Sequence, residues 1–218
     1  MASRELILLG AGGHATVVAE SAVAAGWRII GYCANESSRQ AGCSALQAPW
    51  LGPIEAPTPD GVRLLNGSTK LHLAVGDARL REKWCARFPP DRLATIVHPG
   101  SWISPSASVA PGAYIGAFAV VNAAASIAIA TIVNTAAIVE HGVKVGTCSH
   151  LAPRSTLAGL AHVGERVLIG AGAVVLPFVR VGNDAIVGAG SVVHRDVDNG
   201  LTVAGIPARE LRARAASS

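Results

Sequence analysis

The sequence is short of the side chains that usually fill a core and of those that usually cover a surface. Phe, Trp and Tyr make up 4% of the 218 residues, Met occurs once, and Asp, Glu, Lys and Arg together reach only 15%, against roughly 25% charged in an ordinary domain. Half the chain is nonetheless hydrophobic, so the core must be thin and built from Val, Ile, Leu and Ala. That apolar content excludes disorder. Gly and Pro, at 24 and 12, stay below the ~25–30% share of low-complexity chains. The cysteines (Cys33, Cys43, Cys85 and Cys148) include no C-x-x-C pair and no disulfide framework, which suits a reducing cytosol. The net charge of +4 comes without a Lys/Arg run, which argues against nucleic acid and leaves a phosphorylated small molecule as the better ligand. The apolar stretch at the N-terminus is too short for a signal peptide, and a cytoplasmic protein is expected.

No Asp, Glu, Lys or Arg occurs between Arg92 and Glu140, a length that could cross a membrane as a helix. Pro105, Pro111, Asn122 and Asn134 interrupt it, and its period is not helical. From Val97 to Val193 every sixth residue is aliphatic, seventeen in all, and the residue four later is always Ser, Thr, Ala or Val. A period of six matches neither the 3.6 of a helix nor the 2 of a plain strand. It fits short strands joined by tight corners, with the aliphatic side chain inward: the hexapeptide pattern of a parallel β-helix. Three hexads per turn make nearly six turns, roughly 27 Å long at about 4.8 Å per turn. Gly follows the aliphatic residue at positions 116, 146, 164, 170, 182 and 188, and is expected there to supply corner dihedrals that a Cβ obstructs. Uncharged outer faces on the early coils call for cover, which a symmetric oligomer would provide.

Ahead of the repeats, Glu5–Leu9 reads as a buried strand, Thr16–Ala25 as a helix stopped by Gly26, and Arg28–Cys33 and Leu71–Val75 as further strands. Asp77–Phe88 reads as a helix, and 35–59 as loops. Gly10, Gly12 and Ala15 form G-x-G-x-x-A between strand and helix, where backbone amides and the helix N-terminus suit a phosphate. A dehydrogenase would need a second mononucleotide half, and only about ninety residues precede the repeats. The organisation expected is therefore an α/β Rossmann-like nucleotide-binding domain over 1–92, a β-helix over 93–200 and a tail over 201–218.

The motifs GAGGHATVV, LAVGDARLR, ATIVHP, NTAAIVEH, GAGAVV, VGAGSVV and AGIPAREL occur in this order. With them the chain resembles the sugar O-/N-acetyltransferases related to sialic acid O-acetyltransferase, with the bacillosamine-pathway and perosamine N-acetyltransferases. The resemblance implies that the β-helix is left-handed and that the protein is a homotrimer binding acetyl-CoA between subunits. It implies acetyl transfer to the amino group of a nucleotide-activated amino sugar for a surface glycan, or alternatively O-acetylation of a sugar. Gly12, Gly13 and His14 would hold the nucleotide diphosphate, and Gly76 would complete that pocket. Relatives that use UDP-sugars bind uridine with paired acids where this chain has Ala34 and Asn35, so Asn35 retains only a hydrogen bond.

His141 aligns with the general base. An imidazole of ordinary pKa near 6.5 suits removal of a proton from an incoming amine at neutral pH, and direct attack needs no cysteine. Glu140 is the candidate partner of that base, although successive strand residues point to opposite faces; Gly142 stands where relatives carry an acid. His150 aligns with a histidine at the thioester. Nine residues is half of an eighteen-residue coil, so His150 of one subunit would meet His141 of the next. Ala171 and Ala189 would line the pantetheine arm, Asn134 would touch substrate or cap a corner, and Arg209 or Arg212 would pair with the coenzyme's phosphates. A γ-type carbonic anhydrase would need two histidine ligands five residues apart; the prism histidines, His98, His141, His150, His162 and His194, contain no such pair, and no metal is expected. A non-catalytic scaffold would need neither the glycine loop nor His141.

Overall fold

The computed structural model describes residues 4–37 and 48–211; Cys43 and Arg212 lie outside the described residues. The first part is a three-stranded parallel sheet of β1 (Arg4–Leu9), β2 (Trp27–Cys33) and β3 (Lys70–Leu73) in the order β2-β1-β3, with helices α1 (Gly13–Ala24), α2 (Pro59–Asn66) and α3 (Ala78–Cys85). Leu6, Ile7, Leu8 and Leu9 are all wholly buried, as a continuous apolar run must be when it forms the central strand of a parallel sheet. Helix α1 begins at Gly13 rather than Thr16, because Gly12 is still extended (φ −80°, ψ −175°) and the chain turns directly from it into the helix. The stop at Gly26 is a left-handed residue, φ +82°. Helix α2 matches no element expected from the sequence; Thr58 Oγ1 accepts from the Gly61 amide at 3.2 Å and caps it.

From Ile96–Val97 to Val192–Val193, two-residue strands recur every six residues, and each pairs in parallel with the strand 18 residues away. The result is a three-sided parallel β-helix of about six turns. The second residue of each strand points inward: Ile115, Val121, Val133, Val139 and Leu151 are fully buried. The small residue of each hexad packs beside them; Thr131 Oγ1 donates to the Gly146 carbonyl (3.0 Å) and Ser149 Oγ to that of Gly164 (2.7 Å) in the next coil, whereas Ser155 Oγ is buried without a partner. The last coil is two residues shorter, with Val187 beside Val203, and the chain then returns antiparallel through Ala208–Glu210.

The corners differ from expectation in one respect. The left-handed backbone sits three residues after the inward aliphatic, and non-glycine residues mostly occupy it: Phe118, Ala136, Cys148, Leu160 and Arg166 have φ between +54° and +62°. Each costs about 1–2 kcal/mol in isolation. Against that cost, the amide of each such residue bonds to the coil before, as Leu160 does to His141 O (2.9 Å) and Cys148 to Ile129 O (3.0 Å). The glycines after the aliphatic residue are required by close approach instead. A Cβ on Gly146 would lie 2.5 Å from Gly164 backbone atoms, and one on Gly170 2.5 Å from Ala189 N.

The three sides have different exteriors. On the first, the outward residues Ile96, Tyr114 and Ile132 are buried beneath the N-terminal domain, His150 is half-buried, and Leu168 and Ile186 are exposed. The cover expected from an oligomer is thus supplied on this side by the chain itself. The second exposes Trp102 and shows Val120, Ile138, Thr156, Val174 and Val192 half-buried. The third is polar, with Ser108, Ser126, Lys144, His162 and Arg180.

Candidate active site

Arg81 of α3 joins the two parts of the molecule. Its side chain is 1% exposed and donates to the carbonyls of Val75 (2.9 Å) and Gly76 (2.7 Å) in its own domain, and of Ala130 (3.0 Å), Cys148 and Ser149 in the prism. Outside it, Arg166 forms a fork with Asp184 (2.9 and 2.8 Å) and reaches Glu82 at 2.6 Å. Together these contacts hold Val75 and Gly76, just after β3, and helix α3 against the coil that carries His150.

Between β1 and α1 opens a cavity of about 450 Å³, lined by Gly12, Gly13, His14, Asn35, Gly76 and Trp84 among others. Gly10 is needed by the fold, since at φ +129° a Cβ would lie 2.5 Å from the Ala74 carbonyl oxygen. At Gly12, Gly13 and Gly76 a Cβ would meet nothing within 4 Å, so there the missing side chains leave space rather than relieve a clash. Gly12 offers α1 no side-chain cap, which leaves first-turn amides free for an anion.

His14, which lines this cavity, belongs to a cluster of three histidines around Tyr114. The His14 ring meets Tyr114 edge-on, centroids 5.4 Å apart, and lies 6.3 Å from the ring of His150; Tyr114 also faces His72 at 6.3 Å and bonds Ser21 Oγ at 2.9 Å. Burial, then the neighbouring His72, His150 and Arg81, lowers the His14 pKa from 6.5 to about 3. Burial lowers His72 to about 4 although its Nδ1–H donates to Ala94 O at 2.8 Å. Burial, then Arg81, takes His150 to about 4. All three are therefore neutral at pH 7. His14 Nε2 is buried without a hydrogen-bond partner, a group left for a ligand. Asn134 Oδ1 accepts from the Thr135 amide (2.7 Å) and hydroxyl (3.3 Å), so its Nδ2 donates to His150 Nε2 at 3.1 Å. The hydrogen of His150 consequently sits on Nδ1.

His141 lies elsewhere, on the edge between the second and third sides. Its backbone is fixed from both neighbouring coils, with Gly142 N donating to Ala123 O and Leu160 N to His141 O, each at 2.9 Å. The imidazole rests over Gly159 of the next coil, where a Cβ would lie 2.5 Å from its Cε1. Glu140 does reach it: Oε2 is 3.6 Å from His141 Nδ1 and 3.3 Å from its amide, because the corner breaks the alternation that would send the two side chains apart. The imidazole is 65% exposed, with Nε2 on the side away from Glu140. Beside it, from Gly142 past Leu160 and Phe178 to Arg180, runs a groove of about 510 Å³.

Within one chain, then, Gly12, Gly13, His14, Asn35 and Gly76 share one cavity, and Asn134 and His150 adjoin it. His141 and Glu140 occupy a different edge, and Ala171 and Ala189 a third place, the edge between the first and second sides. Arg209 is exposed on the terminal hairpin, its Nη1 donating to Ala208 O at 2.9 Å. Arg81, His72, Tyr114 and Gly159 carried no signal in the sequence. Among the described residues no group of three or more His, Cys, Asp or Glu could hold a metal, and no helix is long and apolar enough to cross a membrane.

Two family models match: PglD N-terminal domain over residues 5–88 and bacterial transferase hexapeptide (six repeats) over 161–195. PerB from Caulobacter crescentus, solved with CoA and GDP-perosamine, is 35% identical, with 95% of this chain and 97% of that one covered and a TM-score of 0.85. The acetyltransferase domain of PglB from Neisseria gonorrhoeae is 32% identical, with 95% and 100% covered and a TM-score of 0.83; it has also been solved with acetyl coenzyme A. Among curated proteins, putative acetyltransferase YvoF of Bacillus subtilis is 45% identical over 51 residues, 23% of this chain and 30% of its own. The chain spans about 30% of the length of the curated relatives it matches. A PglD-type domain docked through Arg81 on a hexapeptide-repeat left-handed β-helix, matched end to end by PerB and the PglB domain, places the chain in the family of hexapeptide-repeat sugar acetyltransferases related to sialic acid O-acetyltransferase.

Proposed function

We propose that the protein transfers an acetyl group from acetyl-CoA to the amino group of a nucleotide-linked amino sugar, the product serving a surface glycan, with His141 as general base. The observation that carries the reading is the His141 edge: an exposed imidazole held by its backbone, with Glu140 on the Nδ1 side and a groove alongside. His141 Nε2 takes the proton of the sugar amine as its nitrogen attacks the thioester carbonyl; the new C–N bond forms, the C–S bond breaks, and the thiolate leaves to be protonated. The Glu140 carboxylate stabilises the imidazolium formed at that moment. Gly12, Gly13 and Gly76 give a diphosphate room against the α1 N-terminus, and His14 Nε2 donates to it. PerB, which binds GDP-perosamine, supports an amine acceptor.

The sites that one chain keeps apart come together in a threefold assembly. The second side is the apolar one not covered by the chain itself, and exposed Phe118, Leu160 and Phe178 stand on its two edges. Packing these sides around a threefold axis sets the His141 edge of one subunit against the Ala171–Ala189 edge of the next. The third side of the first subunit then looks across at His150 and the nucleotide cavity of the second, and acetyl-CoA would lie between them. His141→Ala is expected to lower kcat by roughly 10²–10⁴ with the trimer intact by light scattering; a near-native rate rejects the assignment. Thermal shifts with UDP-, GDP- and dTDP-sugars identify the nucleotide. A UDP-sugar is expected not to be preferred, because Ala34 and Asn35 supply no carboxylate to the base.

A further inference from the structure

The third side of the prism carries a column of basic side chains that the fold does not use. Lys144, His162 and Arg180 are stacked on successive rungs, about 4.8 Å apart, and all three are exposed. Like charges placed on neighbouring strands destabilise a sheet. Among the described residues neither Lys144 nor Arg180 has an ion-pair partner, in contrast to Arg166 nearby, which has three. The 510 Å³ groove they line contains no carboxylate; its remaining wall is Gly142, Leu160, Ala161 and Phe178. Acids stand only at its two ends, Glu140 beside His141 and, past the far end, Asp196, which accepts from the Arg180 amide at 2.8 Å and, with Asp198, lines the adjoining cavity. The groove thus starts beside His141, runs along exposed apolar side chains and carries unpaired cations. A ligand matched to it has a reactive end, a largely uncharged arm and an anionic far end.

Resting on the acetyltransferase reading, we infer that Lys144, His162 and Arg180 form the wall that binds the phosphate-bearing end of the acyl donor. The nucleotide sugar's diphosphate has its own helix N-terminus on the first domain, so this column is left for the second phosphorylated substrate.

The test is calorimetry on the full chain with CoA, dephospho-CoA and pantetheine. Arg180→Ala is expected to weaken CoA about tenfold and the Lys144→Ala/Arg180→Ala pair further, with pantetheine binding unaltered in both. Arg63→Ala, which removes the same charge from α2, leaves CoA affinity at the wild-type value. Equal losses for CoA and pantetheine, no loss at all, or a loss confined to the nucleotide sugar would each overturn the assignment while leaving the acetyltransferase reading in place. Failure of the unmodified protein to bind CoA would overturn both.

Discussion

Gly159→Ala separates the placement of the His141 imidazole from the stability of the coil beneath it. The added Cβ would lie 2.5 Å from Cε1, 2.7 Å from Nε2 and 3.2 Å from Nδ1 of His141, where unstrained carbon contacts begin near 3.5 Å. The ring must therefore move by about 1 Å. It can do so cheaply, being 65% exposed. The Gly159 backbone is not left-handed, so alanine is tolerated there and gains about 0.4–1 kcal/mol from the restricted unfolded chain. Net stability should change by less than about 1 kcal/mol. Catalysis is less forgiving, since a displacement of about 1 Å at a reacting group can cost roughly 10²-fold. The assay is thiol release from acetyl-CoA at saturating acceptor, with urea unfolding alongside, for Gly159→Ala, His141→Ala and the double variant. The alanine is expected to lower kcat by about 10–100-fold in the native background and to change nothing further once His141 is gone. Near-native turnover in Gly159→Ala, or an equal loss in both backgrounds, would refute the idea that this glycine seats the imidazole.

Arg81→Met keeps much of the side-chain volume but removes the guanidinium from five carbonyls, of which Ser149 O keeps the Ile132 amide; about 3 kcal/mol or more should be lost in urea unfolding, and nucleotide-sugar affinity should fall with it. Tyr114→Phe removes only the bond to Ser21 and should cost about 1 kcal/mol, read as a shift in urea midpoint at constant slope. Acidification gives a third test. His14, His72 and His150 have folded pKa values lowered to about 3, 4 and 4, below the unfolded value near 6.5, so between these limits the unfolded chain binds more protons than the folded one. Their stabilising contribution is complete above pH 6.5 and is lost as pH falls toward 4, at up to about 1.4 kcal/mol per pH unit for each imidazole. Stability that stays flat from pH 7 to 4.5, followed by chemical denaturation, would contradict their burial as neutral rings.

What the sequence disclosed and what it hid divide along a physical line. The prism was legible because each hexad repeats one local rule, an inward aliphatic and a small neighbour, and seventeen repetitions leave no other period. The glycine loop was legible because strand, loop and helix are adjacent in the chain. The left-handed corners were hidden, because Phe118, Cys148 and Arg166 are held in that conformation by bonds to the preceding coil rather than by their own preference. Whether Glu140 reaches His141 was not legible, because alternation holds within a strand and fails at a corner; the bend brings its carboxylate to 3.6 Å. Arg81, His72 and Tyr114 were invisible for a different reason. Each owes its role to the seam between the domains, where Tyr114 and Ser21 are 93 residues apart and Arg81 and Ser149 are 68 apart. A seam has no period to read. Yet it is the seam that sets His14 beside His150, and with them the nucleotide cavity beside the coil on which the acyl chemistry is proposed. Variants that loosen it without touching either cavity should therefore weaken turnover more than they weaken the binding of either substrate alone.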